Sequence, residues 1–217
     1  MKHTTIGLFP QPLTKIELNK DLCTLAAEIF DKKIREEVEA LKDDRYHGEQ
    51  LKHFHNHENV FDLYSELQPL HDSLLEMADF VYCDVMNHEY GMRFTQAWYN
   101  ECQVGGWQKA HSHCNCTLSG TLYLRTDENS ILDFFNAGNT NENSPAILDE
   151  PSKKNNKFGY MFHANSVTAP VNTGDVLFWP SHINHGYPDN KTPNRLSLSF
   201  NLMPIALNSL YGNIGVQ

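Results

Sequence analysis

The sequence has no uninterrupted apolar run approaching the roughly 18 residues of a membrane-spanning helix. Its first residues, MKHTTIGLFPQPLTK, lack the apolar stretch of a secretory leader. Both absences predict a cytoplasmic protein that neither enters a membrane nor is exported. Basic residues are in the minority, 17 Lys and Arg against 27 Asp and Glu, for a net charge of −10. They are scattered rather than striped, and a phosphate backbone would be repelled, so nucleic acid is not an expected partner. Cysteines are few and odd in number (Cys23, Cys83, Cys102, Cys114 and Cys116), without the spacing of a disulfide framework. Internal repeats and divisive linkers are also lacking.

What is present is ordinary globular composition, 40% hydrophobic and 20% charged over 217 residues, enough for one well-buried core. A single domain spanning 1–217 is expected, with a mainly helical part at 1–90 and a β-rich part at 91–205. From Asp21 to Lys42 the residues Leu22, Leu25, Ile29, Phe30, Ile34, Val38 and Leu41 recur at three- and four-residue steps, which predicts an amphipathic helix. Leu70, Leu74, Met77, Val81 and Val85 predict a second, opening near Pro69 and ending before Gly91. After Gly91 come β-branched and aromatic runs: MRFTQAWYN, TLSGTLYLR, ILDFFN, DVLFWP and RLSLSFNLMP. Helices followed by strands predict an α+β fold whose helices cover one face of a largely antiparallel β structure. The Asn-rich stretch 136–158 reads as a loop, either a substrate-facing lid or a surface insertion.

The chemistry centres on histidine. In GGWQKAHSHCNCTLSGTLYL, His111 and His113 stand two residues apart at the entrance to a strand, where both imidazoles leave the same face and can reach one metal. DVLFWPSHINHGYP offers His182 and His185 as a third donor. His185, 72 residues beyond His113 and followed ten residues later by Arg195, is the better placed. Alternation puts Arg195, Ser197, Ser199 and Asn201 on one face of their strand and Leu196, Leu198, Phe200 and Leu202 on the other. A regular first strand would likewise gather His111, His113, Asn115, Thr117, Ser119, Thr121 and Tyr123, unless a bulge near Gly120 shifts the register. Cys114 and Cys116 would then point away, as buried inert thiols. The cluster His53, His55 and His57 reads as a solvated loop.

HSH at 111–113, SGTLYL at 119–124, WPSHINH at 179–185 and RLSLSFN at 195–201 together resemble a family of bacterial and viral 2-oxoglutarate, iron(II) oxygenases, over about residues 94–203. The resemblance implies a double-stranded β-helix, or jelly-roll, core with the N-terminal helices packed on the outer face of one sheet. It implies Fe(II) held by His111, His113 and His185, and 2-oxoglutarate bound by Arg195, Ser197, Tyr123 and Asn100. It also implies a hydroxylase that consumes dioxygen and oxidises a small-molecule or peptidyl substrate. In the wider superfamily, which includes prolyl hydroxylases, the second ligand position carries Asp. Here it is His113, either as a ligand or as a support behind the metal, and the centre is one charge more positive. A guanidinium fork suits the distal carboxylate of 2-oxoglutarate. Trp107, Trp179 and Tyr187 are candidates for the substrate wall. The competing readings are a three-histidine cupin-type dioxygenase or isomerase without 2-oxoglutarate, and a non-catalytic jelly roll that binds zinc or carbohydrate.

Overall fold

The computed structural model describes residues 11–38, 40, 48–54, 59–135, 166–209 and 212–215. After strand β1 (Thr14–Glu17), helix α1 (Lys20–Ile29) is capped by Asn19, whose side chain accepts from the Asp21 N–H. It continues through a π turn, Phe30–Ile34, into the single turn α2 (Arg35–Glu37), and Val38 is already extended. The first helix is therefore shorter than its periodicity predicts, and residues 39 and 41–47 lie outside the described residues. Strand β2 (Leu51–Phe54) and the short helix α3 (Val60–Leu63) lead to α4 (Gln68–Asp79), with Pro69 in its first turn. A second π turn, Phe80–Val85, ends that helix.

The β-rich part then runs through β3 (Met92–Cys102), β4 (Gln108–His111), β5 (Leu118–Arg125), β6 (Ile131–Phe135), β7 (Ser166–Pro170), β8 (Asp175–Pro180), β9 (Asn184–Tyr187) and β10 (Arg195–Pro204). A small hairpin, β11 (Ala206–Ser209) and β12 (Gly212–Gly215), follows. One sheet has the order β1-β8-β5-β10-β3-β2 and the other β4-β9-β6-β7, with antiparallel pairing throughout. From β3 to β10 the chain passes back and forth between the two sheets, with only β6 and β7 consecutive in one sheet, which is the double-stranded β-helix. All five runs that read as strands are strands. The short polar segments β2, β4, β7 and β9 give no such signal, because their propensity is weak and pairing with neighbours decides their conformation.

Alternation along the central strands sorts the side chains into two cores. Leu196, Leu198, Phe200 and Leu202 of β10, Leu118, Leu122 and Leu124 of β5, and Val176 and Phe178 of β8 pack outward against Ala26, Phe30 and Ile34 of the first helical segment and Leu70, Leu74 and Ala78 of α4. The small Ala26 lets the helix approach closely, and its carbonyl accepts the Tyr99 hydroxyl at 3.1 Å. A second core of Tyr123, Leu132, Phe134, Ala169, Leu177, Trp179 and Tyr187 lies between the sheets.

Gly120 is not a bulge. It pairs regularly with Phe200 and Phe178, and the unpaired residue of β5 is Leu124. A Cβ on Gly120 would lie 2.3 Å from the Phe200 ring and 2.8 Å from the Leu177 carbonyl, so this glycine is where Phe200 crosses the sheet. Gly120→Ala is expected to destabilise by about 1–3 kcal/mol through overpacking. A calorimetric melt should show this as a fall of about 2–4 °C per kcal/mol for a chain of this size.

Candidate metal centre and anion pocket

The three histidines come from two neighbouring strand ends and the loop between sheets. His111 closes β4 and His185 lies in β9, and the two are direct partners in the ladder. Gly186 permits this pairing, since a Cβ there would meet the Gln108 carbonyl at 2.6 Å. His113 is not in a continuous strand with His111, as simple parity predicts. Asn115 adopts φ 61°, breaking the chain direction, and the His113 amide donates to the Ser181 carbonyl at 2.9 Å. His113 nevertheless faces the cavity that Thr121 and Tyr123 share.

The three imidazoles offer nitrogens within 4.8 Å of one another, and among the described residues no carboxylate joins them. Their tautomers follow from what surrounds Nδ1. His111 Nδ1 meets the Lys109 carbonyl at 2.9 Å, His185 Nδ1 the Ile183 carbonyl at 3.0 Å, and His113 Nδ1 the Asn201 Oδ1 at 2.6 Å. These oxygens accept only, and Ser119 Oγ, the second neighbour of His113 Nδ1 at 3.0 Å, gives its own proton to Asn201 Oδ1 and can accept as well, so each Nδ1 carries the proton and each Nε2 is left with its lone pair. Burial keeps the rings neutral. It holds His111 below its ordinary value, His113 at about 4 and His185 well below the usual range. Two lone-pair nitrogens, Nε2 of His111 and Nε2 of His113, thus stand 3.2 Å apart. Without a shared cation that approach is repulsive; as a donor set it suits a divalent transition metal. His182 is exposed and stands outside the cluster.

The adjoining pocket, about 380 Å³ including its mouth, is lined by both sheets. At one end Arg195 is 4% exposed, with its guanidinium carbon 4.3 Å above the Tyr187 ring and 5.4 Å from that of Tyr123. Its Nη2 donates to the Ile131 carbonyl at 3.0 Å, while Nε is buried without a hydrogen-bond partner. No carboxylate pairs with it among the described residues. A buried, uncompensated cation is costly, so this end of the pocket is built to receive an anion. Burial also pushes the Tyr123 and Tyr187 phenols up, which keeps them protonated donors. Ser197 and Asn100 line the same pocket. Asn100 is held from behind, its Nδ2 donating to Ser199 Oγ at 2.9 Å and its Oδ1 meeting His53 Nδ1 at 2.5 Å.

Several expectations are corrected by the structure. His53 belongs to β2, paired with Asn100, rather than to a solvated loop; His55 and His57 lie outside the described residues. Cys114 is exposed and Cys116 half-buried, with the Cys116 thiol 4.0 Å from Ser119 Oγ, so neither is a core thiol pointing away. The turn at Asn115 is the cause. Of the aromatic wall candidates only Tyr187 lines the pocket. Trp107 is 37% exposed, and Trp179 is buried with its ring 4.7 Å from that of His185. Trp98 takes the wall position, 5.7 Å from His113, and the alternation that puts it beside Asn100 on β3 was the available signal. The loop 136–158 lies outside the described residues.

The family described as "Putative 2OG-Fe(II) oxygenase" matches residues 96–201, the stretch that supplies all three histidines and Arg195. The matched segment, just under half of the 217 residues, is similar to the 2OG-Fe(II) oxygenase family. Comparison with curated protein sequences returns no match. Among solved structures, the chain is similar to the non-heme alpha ketoglutarate dependent epimerase SnoN from nogalamycin biosynthesis (TM-score 0.63, 13% identity, 92% of this chain and 79% of that one). It is also similar to a Pseudomonas putida prolyl-4-hydroxylase (0.57, 13%, 89% and 93%) and to HygX from Streptomyces hygroscopicus, solved with nickel and 2-oxoglutarate bound (0.55, 11%, 89% and 83%). These likenesses establish the fold. Among the described residues, no helix is long and apolar enough to cross a membrane.

His182 and His185 are separated by experiment. His185→Ala should abolish stoichiometric Co(II) binding in equilibrium dialysis, whereas His182→Ala should leave it within about twofold, since an exposed side chain outside the cluster contributes little.

Proposed function

We propose that this oxygenase holds Fe(II) on Nε2 of His111, His113 and His185, seats 2-oxoglutarate with its distal carboxylate on Arg195, and hydroxylates a C–H bond of a small-molecule or peptidyl substrate. The observation that carries the reading is the uncompensated Arg195 guanidinium sharing one pocket with two of the three imidazoles. When bound, the metal and cosubstrate supply the oxidation, with dioxygen consumed and succinate and carbon dioxide released.

The chain's own residues bind, orient and exclude. Arg195 neutralises the distal carboxylate through its fork, and its stacking on Tyr187 keeps the guanidinium plane fixed. Tyr123 and Ser197 add hydroxyl donors on the same face. Asn100 adds an amide N–H further along the pocket, so the wall presents donors to an acceptor-only dianion. The imidazoles are neutral, which leaves the centre one charge more positive than a site with Asp at position 113. A dianionic chelator is favoured by that excess. Trp98 closes the side next to His113 and shields it from water.

Anaerobic titration of the iron-loaded protein with 2-oxoglutarate should produce the visible charge-transfer band of a chelated cosubstrate, with succinate formed once oxygen is admitted. In Arg195→Ala, binding should weaken by about 30-fold or more, the equivalent of the 2–5 kcal/mol lost with a buried charge partner. Correctly loaded iron with neither band nor succinate would contradict the proposal and favour the metal-only cupin-type reading.

A further inference from the structure

His113 differs from the other two histidines in how its remote nitrogen is held. His111 and His185 each donate Nδ1–H to the carbonyl two residues earlier, local bonds supplied by their own backbone. His113 Nδ1 instead meets two side chains from distant strands, Asn201 Oδ1 at 2.6 Å and Ser119 Oγ at 3.0 Å. The two are not equivalent. Ser119 has one proton and several neighbours, with Ser181 Oγ and Asn201 Oδ1 each at 2.9 Å. A hydroxyl can accept from Nδ1–H or donate to a bare Nδ1, so it leaves the imidazole tautomer open.

Asn201 does not. It is 4% exposed; its Nδ2 donates to Gln96 Oε1 at 3.1 Å, and its Oδ1 accepts the Ser119 hydroxyl at 2.9 Å and faces His113 Nδ1. A carbonyl oxygen can only accept. We infer that Asn201 is a positioning residue that fixes the proton of His113 on Nδ1, freeing Nε2 to bind metal at the position where a carboxylate stands in related oxygenases. The inference rests on His113 being a ligand, and it explains how an imidazole from an irregular loop keeps one tautomer and one orientation.

The test uses metal alone. Co(II) affinity is measured by chelator competition on the full chain, without 2-oxoglutarate or oxygen, for the wild type, Asn201→Leu, Asn201→Asp, His113→Ala and Asn201→Leu combined with His113→Ala. Asn201→Leu should weaken binding about 10–100-fold, the usual effect of losing a ligand's outer partner. Asn201→Asp is nearly isosteric and supplies a stronger acceptor that raises imidazole basicity, so it should tighten binding, by roughly 10-fold on the same scale. In the His113→Ala background, Asn201→Leu should have no further effect. A merely structural role would weaken binding in both Asn201 variants and persist without His113. That pattern, or unchanged affinity in both variants, would overturn the inference. Unchanged affinity in His113→Ala would overturn the ligand assignment along with it. Should Asn201→Leu fail to fold, the opposite shift in Asn201→Asp still decides the matter.

Discussion

Strand β10 lies between β3 and β5, and its two faces carry incompatible demands. Leu196, Leu198, Phe200 and Leu202 are fully buried against the helices, a contribution of about 1.5–3 kcal/mol each. Because side chains alternate, those four residues oblige Arg195, Ser197, Ser199 and Asn201 to face the space between the sheets. A slip of one residue would put a guanidinium and two hydroxyls into the helical core and four apolar groups into the pocket. The apolar packing of one face therefore sets the position of the anion site and of the support behind His113 on the other. The N-terminal helices act on the chemistry through this strand and its neighbours, whose apolar faces join the same core.

The pocket is polar but asymmetrically charged. Two of the three neutral imidazoles, His113 and His185, and one buried guanidinium line it, and among the described residues that line it there is no carboxylate. Removing the cationic form of the histidines by burial makes the nitrogens available to a metal. The same burial leaves Arg195 without solvent to stabilise it. A divalent metal and a dicarboxylate satisfy both conditions together, and either alone leaves one of them unmet.

Much of this was legible in the sequence. Period-two alternation in TLSGTLYLR and RLSLSFNLMP assigned both faces of the central strands, and the spacing of His111, His113 and His185 named the cluster. The order of the motifs pointed to the family. The missing parts have physical reasons. Asn115 is a single left-handed residue whose effect on Cys114 and Cys116 no periodicity reveals. β2, β4 and β9 are four residues each and take their conformation from partners distant in sequence, so His53 looked like part of a loop. Trp179 and Trp98 differ by which side of a ladder they occupy, and only pairing distinguishes a ring packed on His185 from one that lines the pocket.

The most direct measurement is anomalous diffraction at the iron edge from anaerobically grown crystals containing iron and 2-oxoglutarate. One iron is expected, bonded to Nε2 of His111, His113 and His185 at about 2.0–2.2 Å. The distal carboxylate of the chelated 2-oxoglutarate is expected to engage the Arg195 guanidinium. Iron at any other position, or ordered 2-oxoglutarate that leaves Arg195 without a carboxylate, would contradict this assignment.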